Sequence, residues 1–190
     1  MLNVAIILGS TRPGRVGEAV ANWVYEIAQH RTDAQCELLD VKSFSLPLLD
    51  EPLPPAVGHY TQPHTKTWAA TIARFDAFVF VTAEYNHGIP GALKNAIDFL
   101  YAEWAHKAAG FVSYGAAGGT RAVEQLRQVM GNLLVADVRS QVALSLFTDF
   151  NDSVFAPAAF HEAQVNRMLD EVVSWGTALK PLRERRSVAA

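Results

Sequence analysis

The run Thr82-Ala83-Glu84-Tyr85-Asn86-His87-Gly88-Ile89-Pro90 carries the densest set of chemically useful side chains in the chain. It follows the apolar stretch Phe78-Val79-Phe80-Val81 and ends at Pro90, which suits a first helical position because its missing N–H would be unpaired there anyway. Tyr85 can stack on a flat ring, and the backbone around Asn86 and Gly88 can pair with ring heteroatoms. His87 reads either as a general base or as a polar rim residue. Glu84 reads either as an acid–base group or as an anchor for the loop or a partner subunit. A second loop, Gly9-Ser10-Thr11-Arg12-Pro13-Gly14-Arg15-Val16-Gly17, opens a helix. Helix starts offer unpaired N–H groups and partial positive charge, which suit a phosphate. Ser10 and Thr11 add hydroxyls, Arg12 a planar fork, and Arg15 a second one. The loop lacks the lysine of an ATP-type phosphate loop and the Gly-x-Gly-x-x-Gly pattern; its plainer reading is a solvated turn. In a third loop, Ser113-Tyr114-Gly115-Ala116-Ala117-Gly118-Gly119, the glycines let backbone N–H groups approach a ligand edge. Tyr114 either covers that edge or simply ends a strand.

Positioning such loops takes strands that end together. Residues 2–8, 34–41, 77–82, 108–114 and 138–146 read as short, apolar, largely β-branched strands. Helical spacing appears over about 17–30, 61–74, from Pro90 to Trp104, 119–132 and 158–179. Strands alternating with helices predict a parallel sheet covered on both faces, a three-layer α/β sandwich. Five such units fit the flavodoxin-like strand order 2-1-3-4-5, whose switch point lies between the first and third strands. The Pro-rich segment 42–60 reads as an irregular excursion, either pocket rim or interface. Trp104 is either an interface anchor or a core aromatic.

The chain has 190 residues, half of them hydrophobic. At roughly 150 residues per domain this predicts a single domain, 1–182, with a frayed tail at 183–190. A net charge of −3 argues against nucleic-acid binding. The single cysteine, Cys36, excludes an internal disulfide or a dithiol pair and reads as a small hydrophobe on a strand. The six histidines are scattered and suggest no metal site. No apolar run reaches the roughly 20 residues of a membrane helix. The N-terminus shows neither a basic segment nor a cleavage site, so no membrane insertion and a cytoplasmic location are expected. Ser10 and Ser113 lie outside a Gly-x-Ser-x-Gly elbow, and no base pairs with either, which disfavours a hydrolase or transferase.

The string Glu84-Tyr85-Asn86-His87-Gly88-Ile89-Pro90-Gly91-Ala92-Leu93-Lys94-Asn95-Ala96-Ile97-Asp98, with Gly9-Ser10-Thr11-Arg12 and Ser113-Tyr114-Gly115, resembles the NADPH-dependent FMN reductase family, which includes quinone, azo and chromate reductases. The resemblance spans roughly residues 2–132. It implies that Ser10 and Arg12, with the turn Arg15-Val16-Gly17, hold the FMN phosphate. It implies that Glu84, Tyr85, Asn86 and Gly88 line the isoalloxazine, and that Ser113, Tyr114, Gly115 and Gly118 close its other side. The chain departs from the family at Ala83, where Pro is usual, and at Val16 and Gly17, where many relatives carry Ser or Asn; phosphate contacts there then come from backbone alone. The implied reaction passes a hydride from NADPH or NADH through flavin N5 to a quinone, azo, flavin or similar small-molecule acceptor. The flavin carries that chemistry, so no side chain is assigned a catalytic role. A homodimer or homotetramer is implied as well. A non-enzymatic FMN-binding electron carrier or redox-sensing module is the alternative; the modest charge fits an acidic, partner-docking carrier poorly.

Overall fold

The computed structural model describes residues 1–188. Five parallel strands, β1 (Leu2–Leu8), β2 (Ala34–Asp40), β3 (Ala77–Ala83), β4 (Ala108–Gly115) and β5 (Ala136–Ser145), lie in the order β2-β1-β3-β4-β5. Successive strand side chains point to opposite faces, and each face of this sheet has its own core. Val4, Ile6, Leu8, Val79, Val81 and Val112 pack against α1 (Gly17–Gln29) and α5 (Phe160–Val188). Ile7, Phe78, Phe80 and Phe111 face the other way, onto α2 (Pro63–Ala73), α3 (Gly91–Asp98) and α4 (Thr120–Asn132). Every residue of β3 and β4 is buried, which is why these segments read as unbroken apolar runs. The register sets Leu8 beside Val81, Ala83 beside Tyr114 and Gly115 beside Ser145, so the loops after β1, β3, β4 and β5 emerge at one edge.

Three elements differ from the sequence expectation. α3 stops at Asp98 rather than reaching Trp104. Two indoles claim carbonyls at its end: Trp68 Nε1 donates to Ala96 O at 2.7 Å and Trp104 Nε1 to Ile97 O at 3.1 Å. Trp104 is thus a fully buried core aromatic, packed edge-on against Phe78. The final helix continues past 179 to Val188 despite Pro181, so residues 183–188, expected to fray, are helical; Ala189 and Ala190 lie outside the described residues. Arg183 ties this extension down by donating to His106 O at 2.6 Å and pairing with Asp76. Finally, a hairpin, β6 (Phe150–Asn151) and β7 (Val154–Phe155), follows β5. Its turn residues Asp152 and Ser153 take positive φ, and Phe150 lies 6.3 Å from Tyr114, ring to ring.

Cys36 is half-buried on β2, and burial pushes its thiol pKa up. No helix among the described residues is long and apolar enough to cross a membrane.

Candidate functional site

The first loop is built around Ser10 and Arg15. Ser10 is fully buried, and its Oγ shares a 2.8 Å hydrogen bond with the Tyr85 hydroxyl. Gly9 donates to Val81 O at 3.0 Å, and a side chain there would meet Leu93 at 2.8 Å, so only glycine lets α3 approach. The two arginines divide. Arg15, 6% exposed at its side chain, grips Asp40 at the end of β2 with both Nη atoms and also donates to Ser10 O. Burial raises the Asp40 carboxyl pKa, but the Arg15 fork and Lys42 N–H outweigh it and hold the net value below the usual carboxylate range. Arg15 therefore shapes the loop, and its fork is committed. Arg12 is exposed, and among the described residues its guanidinium makes one hydrogen bond, a 3.4 Å donation to Gly14 O. Helix α1 starts beside it with Val16 at the cap and no side chain accepting from its first N–H groups. A free guanidinium beside an uncapped helix start is an anion site in both charge and donor geometry.

Tyr114 connects the third loop to the first. It is 5% exposed, and its ring passes so close to Gly17 that a Cβ there would lie 2.9 Å from Cζ and nearer still to the hydroxyl. That hydroxyl has no hydrogen-bond partner among the described residues. Burial, then the neighbouring Tyr85 phenol, pushes its pKa up, keeping it a neutral donor. The second loop meets the third where Glu84 N–H donates to Tyr114 O at 3.2 Å. Within the second loop, Tyr85 and Gly88 exchange backbone hydrogen bonds of 3.0 and 3.1 Å around Asn86 (φ 49°) and His87 (φ 73°). Two successive positive φ values make this a type I′ turn. Asn and His enter that region more readily than most side chains, but two successive non-glycine residues there still carry backbone strain, and such strain concentrates at functional loops. His87 itself is exposed at the tip.

Ser113 and Gly118 serve the loop internally. Ser113, fully buried, donates from Oγ to Gly118 O at 2.7 Å, with a longer contact to Val142 O. Gly118 and Gly119 are both left-handed, and a Cβ on Gly119 would strike Ser113 at 2.8 Å. Gly115 turns the strand into the loop. The three loops thus converge, with Ser10, Arg12, Gly17, Glu84, Tyr85, Asn86, Gly88, Tyr114 and Gly115 at one edge, while Arg15 and Ser113 point into the scaffold.

Sequence reasoning missed Asp40, Arg121 and Gln125. Arg121, in the first turn of α4, pairs with Glu84, whose side chain is 6% exposed and whose Oε2 has no partner among the described residues. Gln125, one turn on, accepts from Ile89 N–H at 3.0 Å and supports the I′ turn from below. Their i, i+4 spacing on a polar helix face was the available signal, but it names no partner.

These features define a class before they define a protein: a switch-point crevice in a flavodoxin-like sheet with an anion site at one end and an aromatic, strained turn at the other. Residues 2–149 match the NADPH-dependent FMN reductase family. The chain belongs to that family: it is an oxidoreductase with FMN as cofactor and NAD(P)H as hydride donor. It is 38% identical to a NAD(P)H-dependent FMN reductase of Nectria sp over 192 residues, covering 90% of this chain and 96% of that one. It is 42% identical to a NAD(P)H-dependent FMN reductase of Schizosaccharomyces pombe over 148 residues, covering 77% and 74%. A quinone reductase of Escherichia coli is 35% identical over 137 residues, covering 68% and 69%. Among solved structures, the flavoenzyme NAD(P)H:(acceptor) oxidoreductase FerB of Paracoccus denitrificans shares the fold with a TM-score of 0.70 at 20% identity, covering 90% and 97%.

Proposed function

We propose that the chain passes a hydride from NAD(P)H through FMN bound at this edge to a quinone, azo compound, free flavin or similar small acceptor. The observation that carries the reading is the convergence of an uncapped α1 start and the free Arg12 with the strained Tyr85–Gly88 turn and the orphaned Tyr114 hydroxyl. A phosphate at one end and a flat heterocycle at the other match those donors and surfaces. FMN, when bound, supplies the two-electron chemistry at N5. The protein's part is placement. Arg12, Ser10 and the backbone N–H groups of Val16 and Gly17 hold the phosphate, and Arg15 keeps their loop in shape through Asp40. Tyr85, Asn86 and Gly88 line the ring, with Glu84 set by Arg121. Tyr114 and Gly115 close the other side, on a loop that Ser113 and Gly118 brace. His87 receives no acid–base role. Self-association as a homodimer or homotetramer belongs to the same reading and is supported by the exposed apolar Leu48 and Val57 on the 42–60 excursion.

Anaerobic mixing of the FMN-loaded protein with NADPH tests the reading. Bleaching of the flavin absorbance, followed by its return on adding a quinone, is expected. A flavin that stays oxidised under excess NADPH and NADH refutes it.

A further inference from the structure

The Tyr114 side chain reaches further than an aromatic end to β4 requires. It packs on the α1 face of the sheet, with the Phe150 ring 6.3 Å away. A Cβ on Gly17, the first residue of α1, would lie 2.9 Å from its Cζ. The hydroxyl thus ends at the opening turn of α1, away from the loop that follows its own strand. The residue is 5% exposed, and there the hydroxyl has no hydrogen-bond partner among the described residues. The neighbouring Ser10 Oγ shares its hydrogen bond with Tyr85 instead. Phenylalanine would fill the same space without burying an unpaired oxygen, so packing alone does not account for the phenol.

The surroundings define the partner that the hydroxyl lacks. Burial, then the Tyr85 phenol, raise its pKa against the opposing pull of Ser10, Arg15 and Arg12. It is therefore a neutral donor, and its partner is an acceptor. The location is electropositive: α1 starts with no side chain capping its N–H groups. Asp40 and, at 3.7 Å, Glu18 offset Arg15, but no acid pairs with Arg12 among the described residues. An acceptor that also carries negative charge satisfies both conditions.

We propose that the Tyr114 hydroxyl is a phosphate ligand, donating to the FMN phosphate alongside Arg12 and the first N–H groups of α1. This rests on the FMN reading above and moves the phenol's task from the ring to the phosphate. The Tyr114 backbone stays with the ring loops, where its carbonyl accepts from Glu84 N–H at 3.2 Å. One residue thereby ties the third loop to the first, and the phosphate secures both ends of the cofactor.

The test compares the unsubstituted chain with Tyr114→Phe, titrating each apoprotein with FMN and with riboflavin. The variant should bind FMN on the order of 10- to 100-fold more weakly and riboflavin unchanged. The loss should largely persist at high salt, unlike that of Arg12→Ala, because the phenol is uncharged and enclosed. In the apoprotein the same substitution removes an unpaired buried oxygen, so the urea midpoint should rise. Weaker FMN binding with a more stable apoprotein is a combination that a purely structural tyrosine would not produce. Equal losses for FMN and riboflavin, or an unchanged FMN affinity, overturn the proposal. So does a fall in the apoprotein midpoint, which would show the hydroxyl already satisfied within the fold. An unsubstituted chain that binds neither flavin overturns the FMN reading and this inference with it. One that binds both, with a variant that does not discriminate between them, overturns this inference alone.

Discussion

Replacing Arg12 by alanine isolates the phosphate end of the site. In the structure the Arg12 side chain contributes little to the fold: it is exposed, and its hydrogen bond to Gly14 O is long at 3.4 Å. Deleting it therefore removes ligand binding without removing scaffold. A hydrogen bond to a charged group is worth about 1.5–3 kcal/mol, and each 1.4 kcal/mol is tenfold in affinity, giving roughly 10- to 100-fold in Kd for FMN. Because Arg12 is open to solvent and salt, the lower end, about tenfold, is expected at physiological ionic strength. Fluorescence titration of the apoprotein with FMN measures it, and riboflavin, which lacks the phosphate, supplies the control. Arg12→Ala should weaken FMN binding, leave riboflavin binding unchanged, and weaken FMN less as salt rises. Arg15→Ala should behave oppositely. It strips Asp40 of a bidentate partner and Ser10 O of a donor, so its first effect is a loss of about 2 kcal/mol in urea unfolding. Equal FMN and riboflavin losses in Arg12→Ala, or an unchanged FMN affinity, would refute the assignment of the phosphate to this loop.

Gly17→Ala should cost about 1–3 kcal/mol by overpacking against the Tyr114 ring, and Tyr114→Phe in the same chain should recover part of it; additive losses in a urea double-mutant cycle would contradict the packing. Arg121→Ala should leave the Glu84 carboxylate buried and unpaired, lowering stability by about 1.5–3 kcal/mol, with Glu84→Gln restoring it in the double variant, as read by denaturant midpoint. Glu51 accepts from Thr61 and Gln62 N–H groups, and although burial opposes them, they bring its pKa down to about 2. A depressed folded-state pKa means the clamp is fully present above the unfolded value of about 4.3 and is lost as pH falls toward 2. The protection factors of the Thr61 and Gln62 amides, relative to their intrinsic exchange at each pH, should therefore fall across that window, and Glu51→Gln should remove that pH dependence.

The strand order, the two-faced core and the three loops were all legible in the chain, because each follows from local rules. Buried strands such as 77–83 must be apolar throughout. Helices such as α1 repeat Val20 and Val24 toward one core. Loops that leave a parallel sheet together must emerge at its carboxyl edge. What the tertiary structure alone decided was partnership. Arg12 and Arg15 are indistinguishable by type and context, and Asp40, twenty-five positions further on, commits one and leaves the other free. Ser113 looks like a ligand contact until Gly118 O and Val142 O take its hydroxyl. Periodicity carried α3 on to Trp104, but the helix ends at Asp98, where the Trp68 indole from α2 and the Trp104 indole folded back on it claim the carbonyls of Ala96 and Ile97. Propensity and periodicity act between neighbours in sequence, whereas hydrogen-bond partners and close packing are chosen among groups that only folding brings within reach.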